Sequence, residues 1–336
     1  MHNGLVSDHF DGNRFFNPEG GDHTPGDELK WFLQMKTVGW PEWLNDVPQP
    51  PPVERVGAGA LRVTFINQAT VLIQMDGLNI ITDPIWSERA GPVSWLGAKR
   101  VRLPGVKLEQ LPRIDYVLIS HDHYDHLDLP TIDTIARRDQ PTFLAGLGVG
   151  QRLRSINIRV QDIIELDWWQ TYQPSGKAVQ FVFVPARHQS GRISPFSRNR
   201  TLWGGFVIYS PDGQVYFAGD TGSGRFIDEI AGRFRRMRLT ILPVGNYEKR
   251  WIMKTQHMNP DDAVRAHLAL RAGQSMGIHY ATFAEHPEQA IDAHERDLAT
   301  ALMEHAVPPA AFWILNFGEG RNVPPISEGS KVPEQY

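Results

Sequence analysis

Short apolar runs separated by turn residues dominate the hydrophobic pattern from Leu61 onward. The runs are rich in Val, Ile, Phe and Tyr, which fit a pleated and partly buried backbone. In chain order they are LRVTF, TVLIQ, LNIIT, YVLIS, VQFVFV, LWGGFVIY, QVYFA and LTILPV. Turn residues between runs of this length indicate separate strands. This part of the chain is therefore predicted to form β-sheets.

Helical patterns lie between these predicted strands. Apolar residues spaced three and four positions apart predict helices over residues 129–137, 226–234 and 287–306. A further helix is predicted after Asn259, which can cap its first turn, because Pro260 fits the first helical position. Many short strands with interposed helices favour an α/β fold of two facing sheets with helices outside, an αββα sandwich. The loops at one edge of such a fold are free to hold a functional site.

The chain before residue 56 lacks this pattern. It is rich in Gly, Asn, Asp and Pro, and it ends in a proline cluster over residues 48–52 that favours extended or turn conformations. Its tryptophans, Trp31, Trp40 and Trp43, indicate that part of it packs against the rest. We therefore predict an N-terminal extension over residues 1–55 that packs on the core, a main domain over 56–325 and a C-terminal tail over 326–336.

The composition narrows the classes of function. Apolar residues make up 41% of the chain and charged residues 21%, as is typical of a globular protein. A net charge of −4 and an isoelectric point near 6.4 argue against a surface built to bind nucleic acid. The chain has no cysteine, so any metal must be held by His and carboxylates. Neither a secretory signal nor a membrane-spanning run is found, so we expect a cytoplasmic location.

The segment YVLISHDHYDHLD carries the densest group of candidate ligands. A strand that ends there can aim His121 and His123 to one side, while the following turn presents Asp125 and His126 to a neighbouring point. A single His at a strand end is most often structural, but three His and one Asp within six positions favour a metal site. Imidazole and carboxylate ligands suit zinc, with manganese or iron as alternatives.

Two metal shells need more than these four residues, so further ligands are expected at later strand ends. His188 follows VQFVFVP, Asp220 lies in AGDTG after QVYFA, and His279 follows SMGI. Each of them alone would be an ordinary turn or core residue. Together with the first group they would complete a two-metal site at one edge of the fold.

The pattern HxHxDH followed by a distant His, Asp and His resembles the metallo-β-lactamase superfamily. The segments IIELDWW and NYEKRWIMKTQHMNP resemble its branch of N-acyl-phosphatidylethanolamine-hydrolysing phospholipase D and bacterial relatives, and the likeness extends from about Leu61 to Gly318. The resemblance implies two zinc ions, the first held by His121, His123 and His188, the second by Asp125, His126 and His279, with Asp220 bridging them. It also implies that substrate is held by Tyr124, Gln256 and His257.

The resemblance implies a zinc-dependent phosphodiesterase of the phospholipase D type. It would hydrolyse N-acyl-phosphatidylethanolamine or a similar phospholipid through a metal-bridging hydroxide, with Asp125 and Asp220 as catalytic residues. Four arginines and no acidic residue lie between Arg187 and Arg200, which would suit a phosphate, although a solvated surface is the alternative explanation. The expected partner is a phospholipid at a membrane surface, with the protein peripheral on the inner face. A homodimer is also implied, and no nucleic acid is expected.

One departure from the family pattern keeps other activities open. Many relatives carry a His in a GHAT-like segment before the second strand, where this chain has Gln68 in NQAT. Gln can form hydrogen bonds but cannot carry a proton. The alternative function is a metal-dependent lactonase or β-lactam-type hydrolase on a small carbonyl substrate. A metal- or lipid-binding scaffold without turnover is the third hypothesis.

Overall fold

The structure is a computed structural model that describes residues 4–21, 23–36, 38–192, 194–234, 236–284 and 288–326. The predicted C-terminal tail lies outside the described residues from 327 onward. The helices are α1 (Pro25–Gln34), α2 (Leu129–Asp139), α3 (Gly150–Arg154), α4 (Phe226–Arg233), α5 (Arg250–Met253), α6 (Pro260–Ala269) and α7 (Ala293–Glu304). The strands are β1 (Leu61–Asn67), β2 (Thr70–Met75), β3 (Leu78–Thr82), β4 (Arg89–Val93), β5 (Leu96–Lys99), β6 (Tyr116–Ile119), β7 (Thr142–Gly146), β8 (Ile163–Leu166), β9 (Thr171–Tyr172), β10 (Gln180–Val184), β11 (Gly205–Tyr209), β12 (Gln214–Phe217), β13 (Met237–Pro243), β14 (Gln274–Ile278), β15 (Phe312–Trp313) and β16 (Gly320–Asn322).

Within the described residues, these strands form two seven-stranded sheets and one hairpin. The first sheet has the order β16-β1-β2-β3-β6-β7-β8, and the second has the order β15-β14-β13-β12-β11-β10-β9. Strands β3, β6 and β7 are parallel, as are β12, β13 and β14. Strand β10 has the direction of β12, because both are antiparallel to β11. Strands β4 and β5 form the separate hairpin.

Successive side chains of β6 point to opposite faces of the first sheet and pack in two different apolar clusters. Tyr116 and Leu118 belong to the main core, which holds apolar residues of both sheets and of α4, α6 and α7. Val117 and Ile119 point the other way, into a second apolar cluster formed with α2 and α3. Buried on both faces, each sheet carries helices on its outer side. The predicted αββα sandwich is confirmed.

Local signals predicted most of the elements correctly. Every apolar run that was predicted as a strand overlaps an observed strand. Asn259 caps α6 as predicted, since its side chain accepts a hydrogen bond from the backbone N–H of Asp262. The short strands β4, β5, β7, β8, β9, β15 and β16 were not predicted. No helix in the part of the chain that the structure describes combines the length and the apolar character needed to cross a bilayer.

The last predicted helix begins later than expected. Helix α7 starts at Ala293 instead of near residue 287. The N-terminal part of the chain binds the residues just before this helix. The indole N–H of Trp31 donates to the Glu288 carboxylate, and that of Trp40 donates to the Gln289 carbonyl. These long-range bonds fix Glu288 and Gln289 against the N-terminal part of the chain before the helix begins.

The N-terminal segment, meaning the described residues between 4 and 55, lies on the main domain. Phe10 and Phe15 are buried in the main core. Arginines of the Arg187 to Arg200 region fasten the segment by donating to its backbone carbonyls, with the pairs Arg187 and Gly20, Arg198 and His23, and Arg200 and Asn13. The sequence analysis considered these arginines as a phosphate site, but in the structure they bind the N-terminal segment to the main domain.

Candidate metal centre

Strand ends from both sheets converge at one edge of the sandwich, which we call the metal edge. Strands β3 and β6 run parallel in the first sheet, and β10, β12 and β14 share one direction in the second. The residues just beyond their carboxyl ends are Asp83, His121, His188, Asp220 and His279. All five are buried. The topology thus brings together side chains that are far apart in the sequence.

A glycine lets the two sheets approach closely at this edge. Gly219 has a φ of +62°, and a Cβ placed on it would lie 2.5 Å from the Cβ of Ser120 on the facing sheet. Only glycine combines this backbone conformation with so short a distance. The neighbours of Ser120 and Gly219 in the sequence, His121 and Asp220, are therefore held near one another.

The first cluster of candidate ligands consists of three imidazoles. Nε2 of His121 lies 2.9 Å from Nδ1 of His123, and Nε2 of His188 lies 3.3 Å from the same atom. Burial lowers the pKa of His121 and of His188 well below the ordinary value, and the neighbouring imidazoles add to the effect. The neutral imidazole is the form that binds a metal ion.

The second cluster combines two carboxylates with two imidazoles. Nε2 of His126 lies 3.1 Å from Oδ2 of both Asp125 and Asp220, and Nε2 of His279 lies 3.2 Å and 3.1 Å from the same two oxygens. Burial alone would raise the pKa of Asp220, but His126 and His279 hold it well below the ordinary value. The reverse effect acts on the imidazole, since burial alone would lower the pKa of His279 but Asp220 and Asp125 raise it to about 10. Without a metal, protons on the imidazoles therefore balance the carboxylates, and a bound cation would replace them.

Asp220 connects the two clusters. Its Oδ2 atom is 3.1 Å from the Nε2 atoms of His126 and His279 and 3.8 Å from Nε2 of His188. Its other oxygen, Oδ1, is buried and has no hydrogen-bond partner among the described residues. A buried carboxylate oxygen in this state has a strong tendency to bind a cation.

Hydrogen bonds behind the ligands orient three of the imidazoles. The His126 ring donates from Nδ1 to Oδ2 of Asp83 over 2.7 Å, which leaves Nε2 directed to the second cluster. His188 donates from Nδ1 to the backbone carbonyl of Gln256, and Nδ1 of His121 lies 2.9 Å from the Ser120 hydroxyl. Asp83 in turn accepts the Ser120 hydroxyl. Such partners select the tautomer that presents Nε2 to a metal.

Gln68 occupies the position where the family pattern has a His. Its amide nitrogen donates to Oδ2 of Asp125 over 2.9 Å and lies 2.9 Å from Nε2 of His279. Its backbone carbonyl accepts the N–H of His279 over 2.7 Å. Gln68 therefore orients two candidate ligands of the second cluster and places no titratable group there.

The metal edge opens into a pocket of about 210 Å³, which we call the metal pocket. Gln256 and His257, both predicted to hold substrate, line it, and Nδ1 of His257 lies 3.9 Å from Oδ2 of Asp220. Tyr124 lies instead in a neighbouring cavity, where the guanidinium of Arg192 sits 4.3 Å from the centre of its ring. The structure thus brings the seven predicted ligands together with two of the three predicted substrate residues.

Sequence reasoning missed several residues around this pocket. His23 and Trp31 of the N-terminal segment line the metal pocket, and the Asn17 amide donates to the backbone carbonyl of His188 over 2.8 Å. The tryptophans indicated that this region packs on the core, but no local signal assigned any of these residues to the pocket. Asp83 was also missed, although it follows the predicted strand LNIIT just as the other ligands follow theirs.

The donor set fits metal ions. The ligand atoms of His121, His123 and His188 lie within 4.8 Å of one another, and so do those of the four-residue second cluster. Imidazole nitrogens and carboxylate oxygens, without thiolate, form the usual ligand set of hydrolytic zinc, manganese and iron sites. The predicted assignment of three ligands to one ion and three to the other, with Asp220 between, is compatible with these distances and stays a prediction.

Comparisons with known proteins agree with this geometry. A family model described as a β-lactamase superfamily domain matches residues 78–280. An uncharacterized protein of Mycobacterium tuberculosis is 41% identical over 77% of this chain and 69% of its own length. N-acyl-phosphatidylethanolamine-hydrolyzing phospholipase D 1 of Caenorhabditis elegans is 36% identical over 66% of this chain and 64% of its own length.

Solved structures show the same fold. A metallo hydrolase from the archaeon Ignicoccus hospitalis superposes with a TM-score of 0.59 at 20% identity, over 79% of this chain and 99% of its own. At this identity the likeness concerns the fold alone. The family match carries the classification, because it covers more than half of the sequence and includes all seven candidate ligands. The chain therefore belongs to the metallo-β-lactamase superfamily, and its His and Asp cluster places it among the metal-dependent hydrolases of that fold.

Proposed function

We propose that the chain is a zinc-dependent phosphodiesterase of the phospholipase D type, acting on N-acyl-phosphatidylethanolamine or a similar phospholipid diester. The observation that carries this proposal is the position of His257, which stands 3.9 Å from the shared carboxylate of Asp220 inside the metal pocket. A group at that point can bind a phosphoryl oxygen while the reacting phosphorus faces the two clusters. The named phospholipase D relative supports the same substrate class.

The residues that line the pocket would have different roles in the reaction. Two bound divalent ions would supply Lewis acidity for activating water and for stabilising the charge that develops on phosphate oxygens. Asp125 and Asp220 hold their carboxylates in a buried setting, so they orient the reacting groups without competition from bulk water. His257 and Gln256 position the substrate from the side of α5.

An apolar wall beside these polar groups suits an amphipathic substrate. Trp31, Ile252 and Met253 line the metal pocket together with His257. A phosphodiester would face the ligands while the first carbons of its lipid substituents contact this wall. Because such a substrate resides in a bilayer, we also propose that the protein acts peripherally at a membrane surface. We further propose a homodimer, which the resemblance to the phospholipase D branch implies. Cosedimentation with phospholipid vesicles and analytical ultracentrifugation test these two statements.

The direct test uses the zinc-loaded protein and vesicles that contain N-acyl-phosphatidylethanolamine. We expect release of phosphatidic acid and N-acylethanolamine, measured by mass spectrometry. The metal content is determined on the same sample. Full occupancy of both clusters with no release of either product would eliminate this substrate.

The small volume of the metal pocket favours a second candidate. A pocket of about 210 Å³ accommodates a small carbonyl compound completely but only the head of a phospholipid. A lactonase or β-lactam-type hydrolase would need no further space. Parallel assays with a soluble phosphodiester and with a panel of lactones and β-lactams discriminate the two candidates, because each predicts turnover of one class.

A further inference from the structure

The carboxyl end of β13 supplies a further polar residue to the metal edge. Strand β13 lies between β12 and β14 in the second sheet and is parallel to both. The two neighbouring strands are followed by the candidate ligands Asp220 and His279, and β13 is followed by the turn that contains Asn246. Asn246 lines the metal pocket together with both ligands. The topology therefore brings a neutral amide to the two clusters.

The backbone around Asn246 is held against the second cluster. A Cβ placed on Gly245 would lie 1.9 Å from the backbone oxygen of His279, so only glycine allows the chain to pass this close to the ligand. On the other side of Asn246, the Tyr247 N–H donates to Oε1 of Gln289 over 3.0 Å. Contacts of both neighbours thus fix the position of Asn246 relative to His279.

The amide of Asn246 is available to a ligand. The residue has a φ of +59°, in the left-handed region that Asn adopts more readily than most residues with a side chain. It is partly exposed, and none of the described residues forms a hydrogen bond with its amide. The amide of Gln68, by contrast, already donates to Asp125. Two N–H donors of Asn246 therefore remain for a molecule in the metal pocket.

The space beside Asn246 that can hold a substrate group is the metal pocket. Asn246 also lines a side pocket, together with Gln68, His279 and Trp40. The side pocket has a volume of about 20 Å³, which is room for about one water molecule. The metal pocket, at about 210 Å³, has room for a phosphoryl group. A donor at Asn246 therefore serves the same space that the candidate ligands face.

A neutral amide suits the charge that develops in the proposed reaction. Attack on a phosphodiester places more negative charge on its two non-bridging oxygens, and fixed N–H donors stabilise that charge. An amide donates at any pH and adds no positive charge that would repel bound cations. His257 reaches the pocket from the side of α5, whereas Asn246 reaches it from the end of β13. Two different elements can thus bind the two oxygens.

We propose that Asn246 is a substrate-binding residue whose side-chain amide donates a hydrogen bond to a non-bridging oxygen of the phosphoryl group. This inference rests on the proposed phosphodiesterase function and adds a donor to it. The hydrogen bond forms in the bound substrate and strengthens as negative charge develops on the oxygen. Removal of the amide should therefore weaken the binding of a phosphate and also slow the reaction.

The test uses inorganic phosphate, which presents the same oxygens without a lipid and without turnover. It is titrated by calorimetry into the zinc-loaded full chain. Asn246→Gly keeps the positive φ without strain and removes the amide, so the affinity for phosphate should fall about tenfold. Asn246→Asp also tolerates this backbone but places a carboxylate against the phosphate, so the affinity should fall at least tenfold further. A purely structural role would spare Asn246→Asp, because the two side chains have the same shape.

A matched control comes from another Asn with the same backbone conformation. Asn157 has a φ of +64°, is exposed and does not line the metal pocket. Asn157→Gly should bind phosphate as wild type does. Elemental analysis of every sample measures zinc, which should be unchanged. With vesicles that contain N-acyl-phosphatidylethanolamine, Asn246→Gly should lower kcat/KM about tenfold or more.

Three results would each overturn the role of Asn246. They are no binding of phosphate by the wild type, wild-type affinity in either Asn246 variant, and loss of zinc from Asn246→Gly. A failure of the proposed function gives a different result. If the titrations behave as expected but the wild type releases no product from the vesicles, the phospholipid is eliminated as substrate and Asn246 is retained as a residue that binds an oxyanion.

Discussion

The metal edge and the N-terminal segment meet at the metal pocket, but different forces hold them. Asp83, the buried anchor of the metal edge, is fully enclosed and accepts hydrogen bonds from Ser120 and His126. His23, at the pocket wall of the N-terminal segment, is partly exposed and contacts the Thr255 hydroxyl over 2.9 Å. The metal edge is a closed network of charges and imidazoles. The N-terminal segment is anchored in the core by Phe10 and Phe15, but at the pocket wall it makes separate, partly exposed contacts such as that of His23.

This difference assigns separate tasks to the two regions. A buried network loses much when one member is removed, because the remaining polar groups are left without partners. Isolated contacts at a surface contribute little each. Changes at the metal edge should therefore affect metal content and the rate of the chemical step. Changes in the N-terminal segment should affect substrate binding and stability, with smaller magnitudes.

The largest effect is expected at the carboxylate shared by both clusters. Asp220→Ala should lower kcat by about three orders of magnitude or more, because it removes the charge that faces His126 and His279. The metal content should fall in parallel, which elemental analysis of the purified variant measures. Glu304→Ala, at the end of α7, serves as a control for handling and should behave as wild type. A folded Asp220→Ala protein with full metal content and activity would contradict the two-cluster site.

A change behind the ligands should have the next largest effect. Asp83→Asn keeps the shape of the side chain, but an amide N–H would then face Nδ1 of His126 and favour the tautomer with hydrogen on Nε2. We expect metal affinity and activity to fall about 10–100-fold. Titration with a competing chelator measures the affinity. The control Asp133→Asn removes a surface carboxylate paired with Arg137 and should change neither quantity.

The convergence of residues at the metal edge could be predicted from the sequence, because each of them follows the carboxyl end of a predicted strand. His188, Asp220 and His279 each follow an apolar strand, and parallel strands end at a common edge. Asp83 also follows a predicted strand, so its position at the metal edge could have been predicted from the sequence in the same way. A position after a strand does not specify which way a turn residue points, and Tyr124 accordingly lies in a neighbouring cavity.

The contribution of the N-terminal segment could not be predicted. Its contacts join residues far apart in the chain, such as Asn17 and the carbonyl of His188, which are 171 positions apart. Turn-rich sequence without periodicity carries no signal for the surface on which it packs. The tryptophans indicated packing, but their partners, such as the Glu288 carboxylate bound by Trp31, depend on the complete fold.

A smaller effect is expected where the N-terminal segment forms the pocket wall. His23→Ala should raise KM about five- to tenfold, since it removes one polar contact from the metal pocket. Metal content and kcat should stay near wild type, because the His23 ring contacts the Thr255 hydroxyl and the Gln256 amide, which are not among the seven candidate ligands. The matched change Asn13→Ala, in the same segment but away from the pocket lining, should leave KM unchanged. A loss of metal from His23→Ala would show that the segment belongs to the metal edge after all.

The smallest effect should appear at the far end of the N-terminal segment. His9 lies between two carboxylates, with Nδ1 2.6 Å from Asp8 and Nε2 2.8 Å from Asp167, and its ring stacks on Trp168. Burial alone would lower the pKa of His9, but the hydrogen bonds to Asp167 and Asp8 raise it above the ordinary value of 6.5. Both ring nitrogens can donate only when the ring is protonated.

The folded state therefore binds this proton more tightly than the unfolded chain. The stabilisation by His9 is complete below pH 6.5 and is lost as the pH rises through the higher pKa of the folded state. His9→Gln should destabilise the protein by on the order of 1 kcal/mol at low pH and by less at alkaline pH. Denaturant unfolding of both proteins at a series of pH values measures the difference. A gap that stays constant or widens with rising pH would show that neutral His9 packing, and no charge pair, fastens this end of the segment.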